Sequence, residues 1–111
     1  MTKKLKKTGH KYLNVLERVL TLSLLPKEGT FANLKLLRTA KENLSFTDEE
    51  NKKLNFQEAD GMVKWMENSV GDKAIEIGEI ATQLIVEALE KLNEEEKITE
   101  NLMSVYEKFV D

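Results

Sequence analysis

The stretch from Ile75 to Leu92, IEIGEIATQLIVEALEKL, decides the fold of this chain. Its apolar residues recur at the three- and four-residue spacing of an amphipathic helix for about four turns. Glutamates, a glutamine and a lysine occupy the opposite face. No other stretch has so regular a pattern, so we expect the rest of the chain to pack on this helix. The apolar positions are Ile77, Ile80, Ala81, Leu84, Ile85, Ala88, Leu89 and Leu92.

Length and composition limit the classes of protein to consider. The chain has 111 residues, which suits one domain, and its 41% hydrophobic and 33% charged residues allow both a core and a polar surface. It has no cysteine, which excludes disulfides and thiolate metal sites and fits a reducing cytoplasm. No apolar run approaches the roughly 18 residues of a membrane span, and no signal peptide is recognisable. We therefore expect a single cytoplasmic domain without a membrane partner.

The charges are distributed unevenly along the chain. Residues 1–45 carry ten Lys and Arg side chains against three acidic ones, whereas residues 46–111 carry seven against seventeen, within a net charge of −3. Such asymmetry can steer a charged partner toward the protein. The alternative is that the basic half lies on the acidic half, either within the chain or in a second copy.

The N-terminal segment is rich in lysine and poor in residues to bury. We predict a basic flexible tail over residues 1–11 and a single domain over residues 12–111. The tail is also a candidate arm for nucleic acid, but residues 1–9 contain neither an arginine nor an aromatic ring to stack on a base.

Two helices are predicted next. The first spans Tyr12–Leu25 and ends there because Pro26 disfavours the helical conformation of the residue before it. It is apolar almost all round, so it either lies in the middle of the domain or turns part of its surface to a partner, with a homodimer as one alternative. The second helix spans Phe31–Leu44, with Thr30 as its N-cap.

Three basic residues of the second helix form the candidate interaction site. Lys35, Arg38 and Lys41 lie three apart on its outward side, and we call them the basic stripe. As a functional feature the stripe would contact phosphate groups or an acidic protein. As a structural feature it is a solvated helix face.

A capping box and a hairpin follow. Thr47 and Glu50 have the capping-box spacing, and one short turn continues to about Lys53. Leu54–Met66 is predicted to form a β-hairpin around Asp60-Gly61, a pair that suits a two-residue turn with positive φ. That turn sets the register, with Glu58 facing Val63 and Phe56 facing Trp65.

The remaining segments complete the predicted architecture. Lys73–Ile77 alternates and is read as a third strand, and Thr99 caps a last helix. The predicted fold class is α+β, with two N-terminal helices, a three-stranded antiparallel meander, a long central helix packed on the sheet and a C-terminal helix.

Few side chains in this sequence are arranged for catalysis or for metal binding. The single histidine, His10, lies in the basic tail, and the five glycines are scattered singly instead of forming a phosphate loop. Nothing in the sequence pairs two acids in an apolar setting, which would raise a pKa. We therefore predict a protein that is not an enzyme, with no catalytic, metal-binding or cofactor-binding residues.

Several segments resemble a group of small, functionally uncharacterised bacteriophage and prophage proteins. They are LLPKEG at 24–29, IEIGE at 75–79 with Ala81-Thr82, and Ile98-Thr99 leading to YEKFV at 106–110. The resemblance implies a phage-encoded protein that works in the cytoplasm of a bacterial host. It carries no functional residues.

Three hypotheses for function result. The first is a non-catalytic accessory protein that binds and modulates a host or phage protein. The second is a winged-helix-like nucleic-acid-binding protein, which would use the tail and the basic stripe, although the segment Thr47–Lys53 begins with three acids that phosphate repels. The third is a small enzyme or ligand binder, for which convergent polar groups are missing.

Overall fold

A computed structural model describes residues 10–66 and 69–111 of the chain. Secondary structure covers most of this part, with helices predominating over short strands. In chain order the elements are β1 (His10–Leu13), α1 (Val15–Leu24), α2 (Phe31–Leu44), α3 (Asp48–Leu54), β2 (Gln57–Ala59), β3 (Met62–Lys64), β4 (Lys73–Glu76), α4 (Glu79–Glu94) and α5 (Glu100–Phe109).

The four strands form two separate antiparallel pairs, so the predicted three-stranded meander is wrong. Strand β4 pairs with β1, and His10 faces Glu76 while Leu13 faces Lys73. Strands β2 and β3 pair only with each other. The predicted third strand does exist, but β4 adds to a distant strand instead of to the hairpin. The overall class remains α+β.

Strand β1 was not predicted from the sequence. Tyr12 and Leu13, assigned above to the first helix, lie in this strand, and so do His10 and Lys11 from the end of the predicted tail. The helix begins later because the Asn14 side chain accepts a hydrogen bond from the backbone amide three residues on and forms a capping box. Residues 1–9 of the predicted tail lie outside the described residues.

The hairpin has the predicted turn and register. Asp60 and Gly61 have φ values of 54° and 76°, and Glu58 faces Val63. Its strands are shorter than predicted because Leu54 belongs to α3, where its side chain is buried. The predicted register also pairs Leu54 with position 67, which lies outside the described residues.

The aromatic pair predicted for the hairpin is confirmed, and a third ring joins it. The rings of Phe56 and Trp65 are 5.8 Å apart in an edge-to-face arrangement. Phe56 also contacts Phe46, at 5.3 Å between centroids, so the base of the hairpin packs on the segment between α2 and α3.

Helix α4 is confirmed as the central element, but its surroundings differ from the prediction. Ala81, Ile85 and Leu89 are buried and recur at four-residue spacing. They face α1, α2 and α5, so α4 is covered mainly by helices instead of lying across a sheet. Leu13 of β1 and Ile75 of β4 belong to the same core cluster.

The helix caps predicted from the sequence are confirmed. Thr30, Thr47 and Thr99 each accept a hydrogen bond from the backbone amide three residues further on. Within residues 10–66 and 69–111, the helices lack the length and unbroken apolar surface that crossing a bilayer requires.

Candidate protein-binding surface

The charged side chains of α1 are buried, contrary to what its sequence pattern indicates. Arg18 is fully buried, and its guanidinium donates to both carboxylate oxygens of Glu50, at 2.9 and 3.1 Å. It also donates to the backbone carbonyls of Leu44, at 3.2 Å, and Ser45, at 2.7 Å, where α2 ends. The ring of Phe46 covers it, with 4.0 Å from the guanidinium carbon to the ring centroid.

Glu50 links this arginine to two further elements. Its carboxylate accepts the Thr47 backbone amide in the capping box of α3 and lies 3.7 Å from the Lys73 ammonium of β4. The hydrogen bonds from Arg18 lower the pKa of Glu50 to about 2, although partial burial opposes the shift. This carboxylate is therefore ionised and fully engaged at neutral pH.

A second ion pair lies beside the first, also near the start of α1. The Glu17 carboxylate accepts the Lys108 ammonium of α5 at 2.7 Å and the Asn14 backbone amide at 2.9 Å. Burial raises the pKa of Glu17, but the hydrogen bonds from Lys108, the Asn14 amide and Ser104, with the charge of Lys108, outweigh it and leave the pKa below its ordinary value. Lys108 also donates to the Tyr12 carbonyl at 2.7 Å, so this pair joins α1, α5 and β1.

Both networks join distant elements of the fold. Each buried charge has an opposite charge and backbone partners within hydrogen-bond distance. The four charged side chains of these two pairs are thus all bound to other groups of the protein. In the part of the chain that the structure describes, no three metal-binding side chains come together.

The residues of the basic stripe lie where the sequence placed them. Lys35, Arg38 and Lys41 are exposed along α2, away from the buried positions Leu37 and Ala40. They make no ion pair with another described residue. The stripe is therefore a solvated helix face that remains open to a partner.

An adjoining face of α2 forms a groove with β4 and the start of α4, which we call the α2–β4 groove. One part is a cleft of about 540 Å³ between the end of α2 and the outer edge of β4. The other part is a cleft of about 320 Å³ between α2 and the start of α4. Asn43 and Glu76 line both clefts, and the Asn43 side chain donates to the Glu76 carbonyl at 3.0 Å. The two clefts therefore adjoin at this hydrogen bond.

The apolar end of the groove holds two exposed aliphatic side chains. Leu36 of α2 is 51% exposed and Ile80 of α4 is 36% exposed, on opposite walls of the smaller cleft. Ile77 and Ala81 are buried at its base. An exposed aliphatic pair across a concave surface is a feature of binding sites more than of solvated surfaces.

The polar end of the groove is acidic. Glu42 and Glu76 line it, and Glu79 lines the smaller cleft, whereas the nearby Lys73 ammonium lies 3.7 Å from the Glu50 carboxylate. His10 lies 3.7 Å from the Glu76 carboxylate. The basic stripe and the groove thus present opposite charges on neighbouring faces of one helix.

The groove was not predicted from the sequence. Its walls come from residues 36–47 and 73–81, together with His10 of β1, and only the pairing of β4 with β1 leaves the other edge of β4 beside α2. Leu36 is a weak sequence signal, since it interrupts the polar side of α2 next to Lys35.

Comparisons with known proteins found no significant similarity. No protein-family description matches the chain, and neither a curated protein nor a solved structure is significantly similar to it.

Proposed function

We propose that this chain is a non-catalytic, phage-encoded accessory protein that binds and modulates a host or phage protein, and that the partner docks in the α2–β4 groove. The observation that carries the proposal is the exposed Leu36–Ile80 pair across a concave surface that adjoins the outer edge of β4. Burying two aliphatic side chains supplies affinity, and the polar end supplies orientation.

The state of the ionisable groups supports binding over catalysis. Catalytic acids and bases have pKa values near the working pH and free access to substrate. The two carboxylates with the largest burial, Glu17 and Glu50, have pKa values below their ordinary range and are bound to Lys108 and Arg18.

Nucleic-acid binding is the second candidate, and the exposed basic stripe favours it. The order α1, α2, α3 and hairpin is also the order that a winged helix uses. Against it, α3 occupies the place of the recognition helix and begins with three acids, Asp48, Glu49 and Glu50.

Affinity capture with a groove variant tests the proposal. The protein is immobilised and exposed to extracts of uninfected and phage-infected bacteria, in parallel with Leu36→Glu and Met103→Glu. Met103 is 54% exposed on α5, outside the groove, and so provides a matched control. We expect a partner retained by the unmodified chain and by Met103→Glu and lost with Leu36→Glu. Equal recovery on all three proteins, or no retained protein, contradicts the proposal.

Mobility shifts at low salt separate the second candidate. A basic stripe that binds phosphate would retard duplex DNA or RNA, and replacing Lys35, Arg38 and Lys41 by glutamine would abolish the shift. We expect no retardation. A salt-sensitive shift that depends on these three residues would replace the protein-binding proposal.

A further inference from the structure

We propose that the α2–β4 groove binds its protein partner through an extended, Lys- or Arg-containing segment that adds as a strand to the outer edge of β4 and inserts an aliphatic side chain between Leu36 and Ile80. This inference rests on the proposed function and specifies the chemistry of its partner.

The hydrogen-bonding direction of β4 is the first support. In an antiparallel pair, the amide and carbonyl of one residue point to the same side of the strand, and the sides alternate along it. The Tyr12 carbonyl accepts Lys108 and the Glu76 carbonyl accepts Asn43, so both point away from the ladder between β1 and β4. Because Tyr12 faces Ala74 in the register, Ala74 also directs its backbone groups outward.

The outer edge of β4 therefore offers backbone groups to an incoming strand. Within the described part of the chain, the Ala74 amide and carbonyl and the Glu76 amide make no hydrogen bond outside the β1–β4 ladder. Natural proteins cover or interrupt such edges, since an open edge is a template for pairing with another chain. Addition of an extended peptide to an open edge is a common mode of recognition.

The space beside this edge suits a strand. A cleft of about 540 Å³ separates β4 from the end of α2, and its far wall is formed by Asn43, Ser45 and Thr47. Recognition sites for compact ligands have volumes of about 300–1,000 Å³. The smaller cleft, with Leu36 and Ile80, adjoins this one at the Asn43–Glu76 hydrogen bond, and an added strand displaces that bond to reach the aliphatic anchor.

Charge identifies the partner segment further. Glu42, Glu76 and Glu79 line the groove, and the one ammonium group that the described residues place on its wall, that of Lys73, lies 3.7 Å from Glu50. A segment with Lys or Arg near its aliphatic anchor satisfies these carboxylates, whereas an acidic segment is repelled.

Synthetic peptides provide the first test. The probe is an array of eight-residue peptides that varies charge and the position of one Leu, screened against the full chain by fluorescence polarisation. We expect the best binders to combine one aliphatic residue with two or more Lys or Arg residues, and their Glu-substituted versions to bind at least tenfold more weakly. Enrichment of acidic peptides, or an array without binders, would overturn the inference.

Backbone methylation of the best peptide tests strand addition without altering the protein. N-methyl groups at every second residue remove the amides that face β4, and each should weaken binding about tenfold. Methylation at the intervening residues should change the affinity less than threefold. A flat profile, or the three- and four-residue period of a helix, contradicts strand addition.

Variants of β4 provide the matching test on the protein. Ala74→Pro removes an outward amide from an edge strand, a position where proline is tolerated, and should weaken the peptide at least tenfold. Ala74→Val keeps the amide and should retain the affinity. Thermal unfolding of both variants shows whether each is folded, and the methylated peptides decide the question if Ala74→Pro is not.

The outcomes distinguish this inference from the function on which it rests. A cellular partner that is lost with Leu36→Glu but unaffected by Ala74→Pro would keep the groove as the site and reject strand addition. Light scattering adds one further result, because a dimer abolished by Ala74→Pro would make a second copy of the chain the occupant and overturn the partner assignment.

Discussion

The two antiparallel strand pairs of this molecule have the same number of strands but differ in burial. The β1–β4 pair, which we call the core ribbon, buries Leu13 and Ile75 at 0% and 2% exposure. The β2–β3 pair, which we call the exposed ribbon, buries none of its residues. The core ribbon joins residues about sixty positions apart, whereas the exposed ribbon closes through Asp60-Gly61. Turn chemistry thus forms a hairpin by itself, but it does not make that hairpin part of the core.

The core ribbon also has electrostatic anchors that the exposed ribbon lacks. Lys73 of β4 reaches Glu50, which binds Arg18, and the Tyr12 carbonyl of β1 accepts Lys108. For the exposed ribbon, the corresponding support is aromatic packing at its base, through Phe56 and Trp65. We therefore expect the two ribbons to differ in how their loss affects the whole domain.

Removing the buried arginine should have the largest effect. Arg18→Ala leaves the Glu50 carboxylate and the carbonyls of Leu44 and Ser45 without their donor, and we expect unfolding to become easier by about 3–5 kcal/mol. Urea denaturation measures the change. The control is Lys53→Ala, which breaks an exposed pair with Glu49 and should cost less than about 0.5 kcal/mol. If Arg18→Ala lowers the free energy of unfolding by less than about 1 kcal/mol, the Arg18–Glu50 network does not stabilise the fold.

The same truncation on the two ribbons tests their difference directly. Ile75→Ala removes a buried side chain of the core ribbon and should destabilise the domain by about 2–5 kcal/mol. Val63→Ala removes a side chain that is 51% exposed on the exposed ribbon and should change stability by no more than about 0.5 kcal/mol. Urea titrations of both variants measure the difference. Similar losses of stability would show that the two ribbons contribute equally to the stability of the domain.

Acid should release the anchor between α1 and α3. The pKa of Glu50 falls from 4.5 to about 2 in the folded chain, and that of Glu17 is also lowered, so both carboxylates stabilise the fold above the pKa of the unfolded chain. The contribution of Glu50 is present above about pH 4.5 and is lost as the pH falls toward 2.

Urea midpoints measured between pH 6 and 2.5 test this dependence. Glu50→Gln should be less stable than the unmodified chain at pH 6, and its stability should decline less over the same interval. Parallel pH profiles for the two proteins would exclude Glu50 as the source of the pH dependence of stability.

The turn of the exposed ribbon should produce the smallest global effect. Gly61 has φ of +76°, so Gly61→Ala strains the turn by about 1 kcal/mol. We expect faster amide exchange at Glu58 and Val63 with a change in the urea midpoint that corresponds to less than about 0.5 kcal/mol, because the ribbon opens locally. Gly29→Ala, at an open position without a positive φ, is the control. Loss of global stability equal to the local loss would place the exposed ribbon in the cooperative core.

These differences also explain which parts of the fold were predictable. Local signals succeeded, since the caps at Thr30, Thr47 and Thr99 and the turn at Asp60-Gly61 depend on residues within one or two turns of each other. Strand β1 was missed because the segment Tyr12–Leu25 reads as one continuous apolar pattern, and only the Asn14 capping box divides it.

Long-range pairing is what the sequence left undetermined. Arg18 reads as a polar break in an apolar helix, and its burial depends on Glu50 and on the end of α2, which are distant in the chain. The basic stripe was placed on the surface correctly because helical periodicity alone decides it. The α2–β4 groove could not be predicted, since it exists only when β4 pairs with β1.

The pairing of β1 with β4 has a kinetic consequence during synthesis. At about 5–20 residues per second, the ribosome releases the segment containing Leu13 some 3–12 s before the segment containing Lys73. Closing so long a loop makes this pairing a slow step, whereas the Asp60-Gly61 hairpin closes within microseconds. Leu13 therefore stays without its strand partner, and open to aggregation, until Lys73 has been synthesised. In refolding experiments, we expect a slow phase that reports the formation of this contact.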